Sequence, residues 1–392
     1  MEIIKYDHNG RGIGYIDNKI VFVPNTIIGE DVEVKIVDDK KNYSVGEVLK
    51  YNKISSIRKD NICPYYNICG GCDIMHLPYL EQLKFKQNKI VEIINKFYGG
   101  KVDIKDIIYN KELNYRNKVS LKVDKKIGYY KKNSHDIINI DKCMLLDEDI
   151  NNLIGKLNYI DLGLNKNIVI RKNTSGLMLI LDSKIDYDLI KNDVDIIYLN
   201  DKKIYGEDLY EEMDGLKFII SPLSFFQVNK YNTINLYNKI LDYCDLKGNE
   251  TVLDLYCGTG TIGSFVSRKC KKVIGIEINE SAIADANKNK KINGLDNIEF
   301  ICGDSGKILK NNKFRNIDIV IVDPPRSGLS ELSISEIINI NPTKIVYTSC
   351  DPVTLARDLK ILSEKYDVKE LTPVDMFPNT YHVESVCVLE RK

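Results

Sequence analysis

The chain has 392 residues, 43% hydrophobic and 29% charged, which is enough apolar material for two or three cored domains and too much for a disordered chain. Its 56 Lys and Arg balance 56 Asp and Glu, so no global charge drives it toward nucleic acid. No uncharged apolar run approaches the roughly 20 residues that cross a bilayer. The opening MEIIKYDHNGRG places acids, Gly and Asn where a secretory segment would be apolar; a cytoplasmic protein without a membrane is expected.

Residues 1–55 contain VFVP, VEVKIV and SVGEVLKY, short apolar or alternating runs separated by polar turns. About five short strands in so few residues suit a small closed barrel of OB type, or a generic β adaptor. Residues 56–215 are expected to form an α+β middle domain. They open on NICPYYNICGGCDIMHLPYL, and behind Pro78 the apolar positions Leu80, Leu83, Ile90, Ile94 and Phe97 predict a helix over 79–98 ended by Gly99-Gly100. Sixteen Lys and Arg stand against eight Asp and Glu across 56–135, whereas residues 1–55 carry eight against nine. A local basic excess is either an electrostatic footprint for nucleic acid or a solvated face. On the first reading Lys84, Lys86 and Lys89 face RNA.

From 216 to 392 strands and helices alternate. Strands are expected over 251–256, 273–277, 298–302, 317–322, 344–349 and 383–390, with helices over 229–244, 281–293 and 352–365. That rhythm means βαβ units and a mainly parallel sheet, which binds ligands beyond the carboxyl ends of its strands. Ten cysteines in a cytoplasmic chain are not expected to be a disulfide framework. The cluster Cys63, Cys69 and Cys72 points to metal or cluster ligation, whereas Cys244, Cys257, Cys270, Cys302 and Cys387 read as core. His8, His76, His135 and His382 read as surface or supporting residues.

Four segments carry chemistry. DLYCGTGTIG (254–263) places Gly258, Gly260 and Gly263 in G-x-G-x-x-G between a strand and a helix, a turn shared by nicotinamide, flavin and S-adenosylmethionine (SAM) enzymes. Glu277, ending the next strand, has the spacing of a ribose acceptor. DPPR (323–326) leaves the Asp323 carboxylate at a strand end before a turn stiffened by two prolines. Cys350 closes a strand just before a Pro-started helix, whose N-terminus favours a thiolate. Glu384, in HVES, opens the last strand.

SPLSFFQVN, DLYCGTG, DPPRSG, SCDPVTLARD and HVES occur in this order, and with them the chain resembles the SAM-dependent RNA (uracil-5-)methyltransferases over nearly its whole length. The resemblance implies a Rossmann-like class I methyltransferase domain behind a small OB-like barrel called TRAM. It implies SAM contacts from Gln227, Tyr256, Glu277 and Asp323, a nucleophilic Cys350 and a proton-abstracting Glu384. It further implies a [4Fe-4S] cluster on Cys63, Cys69, Cys72 and Cys143; four thiolates by themselves suit zinc equally. Asp351 stands where many members have Asn, and Thr261 where Asn can occur. The expected substrate, by analogy with members that have both barrel and cluster, is 23S ribosomal RNA, with transfer RNA the nearest alternative, and the protein is expected to be a monomer. A non-catalytic RNA-binding protein and a nicotinamide oxidoreductase are the alternatives from other classes; the oxidoreductase accounts for the glycine turn but not for Cys350, DPPR or the cysteine cluster.

Overall fold

The computed structural model describes residues 1–60, 63–222, 224–311 and 314–392. The first five strands, Lys5–Tyr6, Gly12–Ile16, Lys19–Val23, Asp31–Asp39 and Tyr43–Lys53, form one sheet in which the fourth and fifth exchange places. Asp17 and Asn18 both take positive φ (47° and 62°), the two-residue turn whose twist matches a tight hairpin. An antiparallel bridge between Glu2 and Asp31 closes the sheet around Ile3, Val21, Val23 and Val32.

A second sheet of seven strands runs, in spatial order, through Lys202–Gly206, Ile196–Leu199, Gly176–Leu181, Asn167–Asn173, Lys118–Asp124, Lys126–Tyr130 and Ile137–Asn139. The helix Glu148–Leu157, capped by the Asp147 carboxylate accepting from Asp149 N–H, lays Ile150, Leu153, Ile154 and Leu157 on it.

The third sheet has eight strands, ordered Ile298–Cys302, Lys272–Glu277, Thr251–Leu255, Ile319–Val322, Lys344–Ser349, Glu384–Arg391, Tyr366–Val374 and Asp103–Ile104. The first five are parallel, and Glu384–Arg391 is antiparallel to both of its neighbours. Helices cover both faces, so its inner strands are mostly apolar: Ile319–Val322 is buried at every position. The strand order reverses between Thr251–Leu255 and Ile319–Val322, and that is where an open α/β sheet leaves a crevice.

The expected helix forms as Tyr79–Ile93 with a π-helical turn Ile94–Tyr98, stopped by left-handed Gly99. Its burial differs from the expectation. Leu80 and Phe97 are exposed, whereas Gln82, Lys86 and Lys89 are buried. The reason is that the helix is covered on more than one side. Ile90, Ile93 and Ile94 join the core of the eight-stranded sheet with Leu355 and Leu359, and Phe85 packs with Ile27, Ile74 and Leu77 under the barrel. Lys86 is therefore withdrawn from the surface on which it was expected to meet RNA, and Lys89 is largely so. This helix and Asp103–Ile104, expected in the middle domain, pack with the methyltransferase layers. Among the described residues no helix is long and apolar enough to cross a membrane.

Candidate active site

Strand register assembles the site. Val322 lies opposite Leu255 and Tyr347, and Leu255 lies opposite Ile276. Tyr256, Glu277 and Asp323, each at or just beyond its strand's carboxyl end, therefore share one edge of the sheet. Ser349 lies opposite Ser385, so Cys350 and Glu384 are the next residues across that antiparallel pair, on the same edge.

The glycine turn is shaped for close approach. Tyr256 has a φ of 63°, and Gly258 and Gly260 have φ of 54° and 75°. A Cβ on Gly260 would sit 2.5 Å from the Phe300 ring, whereas one on Gly258 would meet nothing within 4 Å. Gly260 is thus required by packing behind the turn, and Gly258 leaves open space in front of it. One Glu277 oxygen accepts from Gly258 N–H (3.2 Å) and the other from Asn279 N–H (2.8 Å), which fixes the carboxylate at the crevice. The Tyr256 and Ser333 hydroxyls are 3.2 Å apart.

Four carboxyls converge here with little positive charge. Asp254 is fully buried; burial first, then Asp323 and Glu277, push it up to about 8, and the Gly263 N–H opposes them. Burial pushes Asp323 up to about 7. Glu384 is raised well above the usual carboxylate range by burial and by Asp323, with Arg326 opposing. Cys350 is pushed up to about 11 by burial, then Glu384 and Asp323, and Arg326 again opposes. Asp351 caps the following helix Pro352–Leu362 by accepting from Val353 and Thr354 N–H, so the Asp found there serves the cap as Asn would.

Several residues around this edge were not singled out by motif. Asp285 is buried and accepts from Ser221 N–H (2.8 Å), Ser221 Oγ (2.6 Å) and Ser224 Oγ (2.8 Å). Arg171 reaches in from the middle sheet to donate to Ser224 O (3.0 Å). Asn289, one turn further along the Asp285 helix, bonds both Ile219 O and Thr259 O, fastening this loop beside the glycine turn. On it Phe225 is 68% exposed, while Gln227 is buried. An exposed aromatic in SPLSFFQVN was the signal available. The His382 ring lies tilted against Tyr381 (4.2 Å between centroids, 40° between planes) and approaches Arg326 (3.4 Å); burial first, then Arg326, push it down to about 4.

Cys63, Cys69, Cys72 and Cys143 line one cavity of about 400 Å³ together with Tyr66, Tyr129 and Lys132, and all four are free thiols. Among the described residues no three His, Cys, Asp or Glu side chains are grouped closely enough to hold a single metal ion. Four thiols around one cavity are the donor type that zinc or an iron–sulfur cluster takes. One expectation is corrected, and one of two alternatives is selected: His76 is a supporting residue rather than a surface one. Cys302 is exposed rather than core, because it ends the edge strand. His76 is buried, with its ring nitrogens bonded to Tyr66 Oη (2.6 Å) and Thr26 O (3.2 Å), because it lies at the joint between barrel and cysteine segment.

Comparison with known proteins bears on this arrangement. The family described as tRNA (Uracil-5-)-methyltransferase matches residues 214–392, and the TRAM domain matches residues 2–49. An RNA methyltransferase of Clostridium acetobutylicum is 39% identical, covering 98% of this chain and 95% of its own. The chain belongs to the tRNA (uracil-5-)-methyltransferase family. One RNA methyltransferase of Staphylococcus aureus is 34% identical over 100% of this chain and 97% of its own. A crystal structure of the Pyrococcus abyssi tRNA (uracil-54, C5)-methyltransferase with S-adenosyl-L-homocysteine superposes with a TM-score of 0.82 at 28% identity, covering 99% of both chains. This family member is a SAM-dependent RNA methyltransferase with an N-terminal TRAM barrel.

Proposed function

We propose that the protein methylates carbon-5 of a uridine through a covalent bond from Cys350 to the base. The observation that carries this reading is the strand register, which sets a cysteine and a buried glutamate side by side at the sheet edge shared with the glycine turn. Uracil carbon-5 is a poor nucleophile. Attack of the Cys350 thiolate on carbon-6 pushes the ring electrons onto carbon-5 and oxygen-4 and so activates carbon-5. Bound SAM supplies an electrophilic methyl group on a sulfonium. Carbon-5 then carries both the methyl group and its original proton. Glu384 removes that proton, the double bond re-forms, and the carbon–sulfur bond breaks to return the thiolate.

Gln227, Tyr256, Glu277 and Asp323 would hold the cofactor, and the crowd of carboxyls suits a cation. Asp323 and Glu277 raise Asp254, and Asp323 raises Glu384; a sulfonium beside these groups would favour their ionised forms. Arg326 lowers both Cys350 and Glu384, toward the thiolate and carboxylate the reaction needs. Exposed Phe225 offers a face on which an unstacked base can rest. The four cysteines would hold a [4Fe-4S] cluster remote in role from methyl transfer.

The proposed target is 23S ribosomal RNA. Transfer RNA is the second reading, favoured by the alignment with the Pyrococcus abyssi enzyme, which runs through the barrel as well as the methyltransferase layers. Incubation with labelled SAM and separated ribosomal and transfer RNA tests the target. Cys350→Ala should abolish both methyl transfer and the covalent complex, and Glu384→Gln should accumulate a methylated protein–RNA adduct on a denaturing gel. Normal turnover by Glu384→Gln, or an adduct in Cys350→Ala, would refute the assignment.

A further inference from the structure

Residues 375–383 join the strands Tyr366–Val374 and Glu384–Arg391, and Val374 lies opposite Glu384, so this connection closes on the proposed base. A connection of this length without regular structure is ordinarily among the more mobile parts of a domain. This one is fastened to a segment far away in the chain. Asp73 and Ile74 N–H both donate to Asn379 O (2.9 and 3.2 Å). Gln82 grips the same residue twice: its Oε1 accepts from Asn379 N–H (2.9 Å) and its Nε2 donates to Asn379 Oδ1 (3.1 Å). Tyr115 Oη donates to Pro378 O (3.1 Å) and Lys86 Nζ to Phe377 O (2.9 Å). Asn379 is fully buried with a φ of 68°, a left-handed conformation that persists where surrounding bonds hold it.

Gln82 and Tyr115 are themselves buried. Neither belongs to the sheet edge that carries Cys350, Asp323 and Glu277. Their bonds end on the backbone and side chain of a loop whose last residue precedes the base. Proton removal depends steeply on placement, since an error of about 1 Å can cost roughly 100-fold in rate.

We propose that Gln82 and Tyr115 are positioning residues for proton removal, holding the 375–383 connection so that the Glu384 carboxylate meets the carbon-5 proton. The proposal rests on Glu384 being the base. It separates the steps of the reaction. Cys350 follows the end of a different strand and none of the bonds made by Gln82 and Tyr115 reaches it, so release should slow far more than adduct formation and methyl transfer.

The test compares Gln82→Met, which keeps the bulk and removes both bonds to Asn379, with Tyr115→Phe, which removes one oxygen. Glu384→Gln is the reference. Rapid-quench time courses with methyl-labelled SAM follow adduct formation, release of product RNA and SAM affinity in each variant. Adduct formation and SAM affinity should stay within about threefold of the parent protein. Release should slow roughly 10- to 100-fold in Gln82→Met, less in Tyr115→Phe, with labelled adduct accumulating in both. Normal release in Gln82→Met, or an equal slowing of attack and release, would overturn the proposal. If Glu384→Gln itself accumulates no adduct, the base assignment fails and the proposal with it. If Glu384→Gln accumulates adduct and Gln82→Met does not, only the proposal fails. Should Gln82→Met not fold, Tyr115→Phe decides by the same criteria.

Discussion

Lys86→Met should destabilise the protein far more than a surface lysine change of the same kind. The Lys86 ammonium lies 2.5 Å from an Asp375 oxygen, and both side chains are fully buried. Burial pushes Lys86 below its usual range and Asp375 opposes that. Removing the lysine leaves a buried carboxylate whose remaining side-chain donor is Tyr79 Oη (2.9 Å), and it removes the partner of Phe377 O. Breaking one side of a buried pair typically costs about 3–5 kcal/mol. For a cooperative unit the size of the methyltransferase layers, that is a fall of roughly 10 °C in the melting midpoint. Lys84→Met is the control: Lys84 is largely exposed and pairs with Glu81 one turn earlier, an arrangement worth about 0.5 kcal/mol or less. Adding Asp375→Asn to Lys86→Met removes the stranded charge and should recover a large part of the loss. Scanning calorimetry of the four proteins at one pH and salt gives the comparison. If Lys86→Met melts within about 1 °C of Lys84→Met, the pair is not the buried anchor described here.

SAM should bind more tightly as pH rises from 6 to 8, with proton release, because Asp323 (raised to about 7) and Asp254 (raised to about 8) are protonated at the low end and a cation favours their ionised forms; calorimetry in buffers of different ionisation heat measures the protons, and Asp323→Asn should flatten the dependence. Gly260→Ala drives a Cβ into the Phe300 ring and should lower stability by about 1–3 kcal/mol, whereas Gly258→Ala meets no neighbouring atom, carries only the left-handed backbone cost of about 1 kcal/mol, and should in addition weaken SAM binding; melting curves with and without SAM distinguish them. Alkylation of Cys350 in the free protein, followed by peptide mass spectrometry, should keep accelerating through pH 10, since its thiol is pushed up to about 11; a plateau near pH 8.5 would contradict the burial argument. Anaerobically purified protein should be brown and contain iron, and metal analysis finding one zinc and no iron would remove the cluster assignment.

The order of elements and the residue types that reach the sheet edge are legible along the chain. Strand-and-turn punctuation in residues 1–55 and the alternation of strands and helices after 216 are local patterns that the observed elements follow, and the motifs around Gly258, Asp323, Cys350 and Glu384 are local patterns that fall at one edge of the sheet. Helix 79–93 marks the limit. Its lysines looked solvent-facing because charged side chains usually are, and its exposed Leu80 looked like core because it is apolar. Only tertiary packing showed that barrel, sheet and the 375–383 connection cover this helix from several sides, so that Lys86 finds Asp375 and Gln82 finds Asn379, nearly three hundred residues later in the chain. The same holds for His76 at its joint, and for Asp285 and Arg171 beneath the loop that carries Phe225. Spacing along a chain encodes periodicity and short turns. It does not encode which distant segment arrives to satisfy a buried charge, because that depends on how whole layers close over one another.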